Sequence, residues 1–346
     1  MAALAGPEKA TRSLQAIKGG SYTVTLPRWW LKKQSLRKHA QVVMVEDGLT
    51  LRLASQELLE QRSKVVIDAD SLRDPMALRY AIWTYYMQGA DEVAVRSRAV
   101  LPASARKRLR EVRLDLAGVE VTHEDGHSVV FAFPPGPTGL RLDAMLANMQ
   151  ASASSTLNDA LRSIAEDDLE LASGVAGREA EILRIYRGII RQVVLSSRNP
   201  EVAYAGGLGE SRDLIIVALL ARDLSRSVYH AIYAARHLLR YGKPLGDGGY
   251  RKALRNLGEA ALAIHRLSLQ SFGERDFRKV VEVTRLMGDA KRHEEALSRK
   301  VLREARDVAH AGALLLIARE LRRIAGYGVA IADIAANRML TPGASP

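Results

Sequence analysis

Basic side chains near the N-terminus are the residues of this chain whose type and spacing most directly indicate binding chemistry. Between positions 12 and 38 the sequence has seven lysines and arginines and no aspartate or glutamate, so this segment carries more than half of the net charge of +12. The seven are Arg12, Lys18, Arg28, Lys32, Lys33, Arg37 and Lys38. Such a segment attracts polyanions, and its charge alone leaves nucleic acid, an anionic membrane surface and an acidic protein open as partners.

Residues that form catalytic or metal sites are poorly grouped in this sequence. No cysteine is present, which excludes disulfides, thiolate zinc sites, cysteine-bound iron–sulfur clusters and cysteine nucleophiles. The sequence has no nucleophile elbow, no His-Glu-x-x-His pattern and no glycine-rich phosphate loop. Asp289 and His293 stand four residues apart with Glu294 adjacent, a spacing that also describes an ordinary solvated helix face. We therefore expect no enzymatic activity, no cofactor and no bound metal.

Length and composition predict a folded protein of several domains. A chain of 346 residues exceeds one ordinary core, and 47% apolar with 26% charged residues is the balance of a globular protein. The first residues lack the basic region and the long apolar core of a signal peptide. The most apolar stretches, Leu214–Ala221 and Ala313–Ala318, are shorter than the roughly 20 residues that cross a bilayer. The sequence therefore predicts a cytoplasmic protein without membrane insertion.

A first module of short strands is predicted over residues 11–60. Apolar and β-branched residues recur in runs bounded by glycine, by proline and by Asp47-Gly48, which is a strong two-residue hairpin turn. The four predicted strands are Thr11–Ile17, Ser21–Leu26, Gln41–Val45 and Leu49–Leu53. A short helix from Pro27 to about Gln34 joins the two halves. Because four such strands bury too little surface to fold alone, we predict an interlaced homodimer.

A small α/β module is predicted over residues 62–136. Strand, helix and strand follow one another as Lys64–Asp68, Asp74–Gln88 and Asp91–Arg96, which makes a β-α-β unit. A further helix and two strands follow as Pro102–Leu116, Val119–Thr122 and Val129–Phe133. The run Pro134-Pro135-Gly136-Pro137 then predicts a linker.

The third module, residues 139–340, is predicted to be entirely helical. From Leu142 to Ile164 apolar positions step by three or four, as on a packed helix, and this stepping recurs to the end of the chain. The five further predicted helices are Leu169–Val194, Arg212–Leu239, Tyr250–Ser271, Arg275–Arg303 and Ala305–Asn337. Asn199-Pro200 and the glycine-rich loops 206–209 and 246–249 separate them. Six long helices predict tandem three-helix bundles.

An internal repeat supports the division into two bundles. The segment Ala221–Arg226, Ala-Arg-Asp-Leu-Ser-Arg, matches Ala318–Arg323, Ala-Arg-Glu-Leu-Arg-Arg. Each copy follows a leucine-rich run and precedes small residues that permit close helix approach. Both copies therefore lie in the last helix of a three-helix unit.

The first module resembles the AbrB/SpoVT family of swapped-hairpin proteins. Residues 20–33, Gly-Ser-Tyr-Thr-Val-Thr-Leu-Pro-Arg-Trp-Trp-Leu-Lys-Lys, follow that family's order of an alternating strand, a Leu-Pro step and a short basic helix. The resemblance implies a dimeric β-barrel of swapped hairpins that binds DNA through the seven basic residues named above. One departure is Arg37-Lys38-His39-Ala40, where the family usually has a Gly-Asp turn, so this turn must be built differently here.

The helical module resembles PhoU, a tandem three-helix-bundle regulator of phosphate uptake. The third and sixth helices of PhoU carry the segment Arg-Asp/Glu-Leu-Glu-Arg-Ile-Gly-Asp, to which both copies of the repeat correspond. In PhoU proteins that bind metal clusters, the Glu and the final Asp of each segment supply the ligands. Those four places hold Ser225, Tyr229, Arg322 and Gly326 in this sequence, so every carboxylate is missing. We predict no metal cluster of that kind.

As a whole the chain resembles archaeal proteins that join a swapped-hairpin domain to PhoU-like helices through an α/β segment. The predicted fold class is multidomain, with an AbrB-like dimeric β-barrel, a small α/β segment and all-α tandem three-helix bundles. The resemblance implies a non-enzymatic, DNA-binding regulator of phosphate uptake whose partners include the ATPase of a phosphate transporter or a sensor kinase. The alternative is a protein-interaction adaptor acting on such a partner, with an N-terminal module that serves only dimerisation.

Overall fold

Residues 8–47, 49–72, 74–133, 141–208, 211–246 and 248–340 are described by a computed structural model. The chain divides into two units, Met1–Gln61 and Arg62–Pro346. The predicted linker at 134–137 lies outside the described residues, as do Gly48 of the predicted hairpin turn and parts of the two glycine-rich loops. The three-domain division stays a prediction.

Two hairpins and two short helices make up the first unit. Its elements are β1 (Gln15–Ala16), β2 (Tyr22–Thr23), α1 (Arg28–Lys33), β3 (Val42–Asp47), β4 (Thr50–Ser55) and α2 (Gln56–Glu60). β1 pairs with β2 and β3 pairs with β4, both antiparallel. Pro27 precedes α1 as its N-cap residue, and its carbonyl oxygen accepts hydrogen bonds from the amides of Trp30 and Leu31.

The second hairpin lies close to its predicted position, whereas the first is much shorter than the predicted strands Thr11–Ile17 and Ser21–Leu26. All four paired residues of β1 and β2 are exposed. A long register is maintained where one face of a strand is buried, and this hairpin has no such face within one chain. The described residues of the first unit form two separate two-stranded sheets, so within one chain they do not close the predicted swapped-hairpin barrel.

A small α/β layer begins the second unit. Its elements are β5 (Lys64–Asp68), α3 (Pro75–Met87), β6 (Glu92–Arg96), α4 (Ala103–Glu111), a 3₁₀ turn (Val112–Asp115), β7 (Glu120–Glu124) and β8 (Ser128–Ala132). The sheet order is β5-β6-β8-β7, with β5 and β6 parallel and the other pairs antiparallel. Asp74 caps α3, since its carboxylate accepts the Met76 amide at 2.9 Å. The predicted β-α-β unit is therefore present.

The helical bundle forms the rest of the second unit. Its helices are α5 (Leu142–Glu166), α6 (Leu169–Ala176), α7 (Glu179–Arg198), α8 (Pro200–Ala205), α9 (Ser211–Tyr241), α10 (Gly248–Glu274), α11 (Phe277–Glu304) and α12 (Val308–Met339). One apolar core runs through both halves of the bundle, with Leu220, Leu254 and Leu314 fully buried in it. In the described part of the chain, no helix is apolar over enough length to span a membrane.

One predicted helix, Leu169–Val194, is two helices in the structure. α6 ends at Ala176 with Gly177 as its C-cap, and the two glycines at 174 and 177 weaken helical propensity in this segment. Arg178, which follows the break, donates a hydrogen bond from Nη2 to Oδ2 of Asp159 at 2.6 Å. This ion pair fixes the break against α5, so the first three-helix unit is built from α5, the bent pair α6 and α7, and α9.

Two buried arginines on α7 attach the α/β layer to the bundle. Arg191 is 1% exposed, and its Nη1 donates to the carbonyl oxygens of Tyr86 at 2.9 Å and Ala90 at 2.7 Å. Arg187 donates to the carbonyl oxygen of Asp115 at 3.1 Å. Its guanidinium lies 3.9 Å from the ring centroid of Trp83. These hydrogen bonds satisfy buried polar groups where the layer meets the bundle and make that interface specific.

Candidate functional site

All seven predicted DNA-binding residues are exposed in the first unit. Arg28, Lys32 and Lys33 lie together on α1, with Arg28 and Lys32 one helical turn apart. Arg37 and Lys38 follow in the next turn, whereas Arg12 and Lys18 belong to the segment before β1 and to the β1–β2 turn. None of the seven forms an ion pair with another described residue. The structure therefore leaves these charges available to a partner.

The turn after α1 is built without glycine. Ser35 has φ of 54° and His39 has φ of 68°, both in the left-handed region that favours glycine. The amide of Leu36 donates to the carbonyl of Leu31, and the amide of Ala40 donates to the carbonyl of Arg37. This turn, which the sequence predicts to differ from a Gly-Asp turn, therefore uses two non-glycine residues with positive φ.

The two copies of the internal repeat lie on α9 and α12, which pack antiparallel to each other. His230 of α9 contacts Glu320 of α12, and Arg212 near the start of α9 donates to the carbonyl oxygen of Asn337 near the end of α12. The rings of His230 and Tyr327, which hold equivalent positions in the two copies, stack with their centroids 5.4 Å apart. The predicted tandem arrangement is therefore present in the packing.

A buried hydrogen-bonded pair of side chains, His230 and Glu320, lies in the α9–α12 interface. Nδ1 of His230 lies 2.5 Å from Oε2 of Glu320, and Nε2 of His237 lies 4.0 Å from Oε1 of the same carboxylate. His230 and Glu320 are both buried. Burial lowers the pKa of His230, although the hydrogen bond to Glu320 acts in the opposite direction. The short contact requires Nδ1 to carry the proton, because a carboxylate only accepts.

Asp223 is the first-copy counterpart of Glu320 and is buried as well. Oδ1 accepts a hydrogen bond from Nε of Arg222 at 2.8 Å, whereas Oδ2 has no hydrogen-bond partner in the described part of the chain. Asp223 therefore holds a neighbouring side chain of its own helix, whereas Glu320 pairs across the interface. The two carboxylates of the repeat thus have different partners and are not arranged as a shared metal site.

The four positions that correspond to metal ligands in PhoU proteins have other partners here. Ser225 and Tyr229 line a cleft between α7 and α9. Arg322 pairs with Glu294 at 3.5 Å, and Gly326 lies beside the Arg322 guanidinium. Hydroxyls and a guanidinium are unsuited to bind a divalent cation. Within the described ranges no three histidine, aspartate or glutamate side chains are grouped to hold a metal ion.

The Asp289, His293 and Glu294 group does not converge on one point. Asp289 is paired with Arg292, and Glu294 is paired with Arg322. Each carboxylate is already neutralised by an arginine of its own bundle. This favours the interpretation of a solvated helix face.

A cavity of about 450 Å³ lies in the α/β layer, at the carboxyl ends of β5 and β6. Its lining is mostly apolar, with Leu78 and Leu109 among the contributors. Asp70 in its wall accepts the Ser97 hydroxyl at 2.8 Å and the Arg98 amide at 2.8 Å. These hydrogen bonds join the ends of β5 and β6, so Asp70 has a structural role in this layer.

Several residues that organise the bundle were not identified by sequence reasoning. His230 and His237 lie on predicted helices, where a structural or surface role is the default. Arg187 and Arg191 are cations on an otherwise amphipathic helix, and their spacing of four residues, which places both on the face opposite Ile189, is the available signal. Glu320 was located only as part of the repeat, and nothing in the local sequence indicates its histidine partner.

The PhoU domain family model matches this chain twice, over residues 146–238 and over residues 254–335. The first range extends from α5 into α9 and the second from α10 into α12, so each covers one three-helix unit, and together they cover half of the chain. The chain belongs to the PhoU family. The first unit lies outside both ranges, so its likeness to AbrB/SpoVT proteins stays a prediction.

Two solved PhoU structures align with this PhoU-family chain. One is the crystal structure of the phosphate transport system regulatory protein PhoU from Streptococcus pneumoniae, with a TM-score of 0.48 and 18% identity over 56% of this chain and 91% of that chain. The other is PhoU from Pseudomonas aeruginosa, with a TM-score of 0.43 and 17% identity over 56% of this chain and 93% of that chain. A search of curated proteins finds no match.

Proposed function

We propose that this PhoU-family chain is a non-enzymatic regulator of phosphate uptake that acts in the cytoplasm. The observation that carries the proposal is the double match to the PhoU domain, one over each three-helix unit. In this account the bundle binds a protein partner, for which PhoU resemblance suggests the ATPase of a phosphate transporter or a sensor kinase. The first unit binds DNA.

The DNA half of the proposal is supported by the basic residues of the first unit. α1 presents Arg28, Lys32 and Lys33 to solvent, and Arg37 and Lys38 extend the same run. Cations free of intramolecular carboxylates are available to phosphate oxygens, which give most of the affinity in non-specific DNA binding. Contacts with base edges would be fewer and would set any sequence preference.

A homodimer is part of the proposal because the first unit has almost no core of its own. Ser55 is its one buried residue among those whose exposure is described. Leu14, Tyr22 and Met44 are each more than three-fifths exposed. Leu26, Pro27, Trp29, Trp30 and Leu53 line an open groove of about 600 Å³. A unit of this size gains stability when a second copy covers such surface.

The alternative function is an adaptor that acts on a phosphate transporter or kinase without binding DNA. One observation favours it: Lys32 and Lys33 lie in the last turn of α1, where cations stabilise the negative end of the helix dipole. Dimerisation alone would also account for the exposed apolar side chains. The two functions differ in whether the basic residues bind phosphate.

Fluorescence anisotropy with labelled duplex DNA at several salt concentrations separates these functions. The test variant replaces Arg28, Lys32 and Lys33 with glutamine. For the DNA-binding regulator, the slope of log K against log salt should become shallower by about 0.9 for each phosphate that the variant no longer neutralises. A matched control replaces Lys252, Arg255 and Arg266 of α10 with glutamine, since these residues are exposed and carry the same total charge.

Equal weakening in both triple variants, or negligible binding by the wild-type chain, would favour the adaptor.

The partner half of the proposal is tested by protein capture, with the full chain as bait, from cells grown in high and low phosphate. Enrichment of a phosphate-transporter ATPase or a sensor kinase is expected in one of the two conditions. Capture of neither would contradict the partner half while leaving the DNA result intact.

A further inference from the structure

Residues of the first copy of the repeat line a cleft between α7 and α9. Its volume is about 150 Å³. Buried Ile182, Val228 and Ile232 form an apolar base, and polar side chains surround the opening. At about 30 Å³ per water molecule, the volume corresponds to roughly five waters. A small tetrahedral ion with part of its hydration shell therefore fits.

Two arginines supply positive charge to this cleft. Arg226 is exposed and forms no ion pair or hydrogen bond with another described residue. Arg222 is held through Nε on Asp223 at 2.8 Å, and its terminal nitrogens have no hydrogen-bond partner in the part of the chain that the structure describes. A guanidinium fixed at one edge presents its other donors without a further loss of side-chain entropy.

Hydroxyl groups complete the donor set. Ser225 and Tyr229 line the cleft at the two positions that hold carboxylates in metal-binding PhoU proteins, and Tyr186 lines it from α7. The hydroxyl of Tyr229 is hydrogen-bonded to Tyr233, which raises the pKa of Tyr229. The hydroxyls of Ser225 and Tyr186 can donate to an anion where carboxylates would repel it.

The charge balance of the cleft favours an anion. Glu179 also lines it, but Nη2 of Arg236 lies 2.6 Å from Oε2 of this carboxylate. Asp223 is similarly neutralised by Arg222. The remaining charge is that of Arg226, an exposed side chain that lines the cleft.

We propose that this cleft binds a small tetrahedral oxyanion of the phosphate type. Two sources share this chemistry, free inorganic phosphate and the terminal phosphate of a small phosphomonoester. The proposal concerns the first repeat alone, because Arg322 of the second repeat occupies the corresponding place and pairs with Glu294 at 3.5 Å.

The biological role of this oxyanion, as the ligand of a phosphate regulator, rests on the proposed function. Its binding is nevertheless a property of the purified chain. The two proposals can therefore fail separately. Phosphate binding without regulation of uptake would contradict only the proposed function, and regulation of uptake without phosphate binding would contradict only the binding site.

Isothermal titration of the full chain with inorganic phosphate, at constant ionic strength in chloride buffer, tests the proposal. One ion per chain is expected to bind. Arg226→Met should weaken binding roughly tenfold or more, since it removes the cation that hydrogen-bonds to the bound ion in this proposal. The matched control is Arg323→Met, the same position in the second repeat, which is also exposed and without an ion pair to described residues. This control should bind within about twofold of wild type, because it lies outside the cleft.

A parallel titration with glycerol 3-phosphate identifies the source, since tighter binding of the ester or of the free ion assigns the natural ligand class. The double variant Ser225→Glu, Tyr229→Asp places carboxylates in the cleft and should abolish binding of both. Far-UV circular dichroism confirms that each variant is folded. The proposal is overturned by absence of binding to both ligands at millimolar concentration, by equal loss in the two arginine variants, or by binding that survives the double variant.

Discussion

His265 makes the stability of the helical bundle depend on pH. Its side chain is 2% exposed on α10, and burial lowers its pKa to about 4. Nε2 lies 3.4 Å from Oγ of Ser154, and Nδ1 has no hydrogen-bond partner among the described residues. A serine hydroxyl carries no charge that would stabilise an imidazolium. The folded bundle therefore favours the neutral ring.

The sign of the pH effect follows from this lowered pKa. The unfolded chain binds a proton at His265 near pH 6.5, whereas the folded chain resists protonation until about pH 4. Stability is therefore complete above pH 6.5 and is lost progressively as pH falls toward 4. From these two pKa values, the free energy of unfolding should fall by about 2 kcal/mol between pH 7 and pH 5 through His265 alone.

Urea unfolding followed by circular dichroism at pH 7 and pH 5 measures this contribution. His265→Gln keeps a polar group near Ser154 but does not titrate, so its loss between the two pH values should be about 2 kcal/mol smaller than that of the wild type. His293→Gln on α11 is the control, and its pH dependence should match the wild type. Equal losses in wild type and His265→Gln would refute the reasoning, whatever the absolute stabilities.

Two further predictions concern packing in the second unit, and both are measured by urea unfolding at pH 7. Arg191→Ala should cost about 3–5 kcal/mol, because it opens a cavity and removes the guanidinium donor from the carbonyl oxygens of Tyr86 and Ala90. Arg184→Ala at an exposed position of α7 should cost less than about 0.5 kcal/mol, and similar losses in the two variants would contradict the role of Arg191. Gly328→Ala should cost about 1–3 kcal/mol, because an added Cβ would lie 2.5 Å from Ile264 of α10. Gly312→Ala on the same helix meets no atom within 4 Å and should stabilise the bundle by about 0.5–1 kcal/mol, so a loss at both glycines would argue against a close approach at Gly328.

The helices of the bundle were largely predictable from the sequence because one face of each is apolar with a repeat of three or four residues. The start of α3 was also predictable, since Asp74 and Pro75 are strong N-terminal residues. The repeat on α9 and α12 correctly indicated two units of the same fold, because its two copies occupy equivalent positions in the two units. These features depend on local sequence.

The features that could not be predicted depend on contacts between distant residues. His230 and Glu320 are 90 residues apart, and their pairing follows only from the antiparallel packing of α9 and α12. The break between α6 and α7 is fixed by the contact of Arg178 with α5, which periodicity does not reveal. The first hairpin is short in a single chain because no second surface buries it. Its predicted length came from the runs of apolar and β-branched residues alone.

The central claim is that the chain regulates phosphate uptake. Its most direct test is to measure phosphate uptake by cells. Labelled phosphate uptake is measured at high and low external phosphate in cells that carry the chain, in cells from which its gene is deleted, and in cells complemented with the full chain. Deletion should remove the difference in uptake rate between the two conditions, and complementation should restore it. Uptake that responds to external phosphate equally in all three strains would contradict the claim.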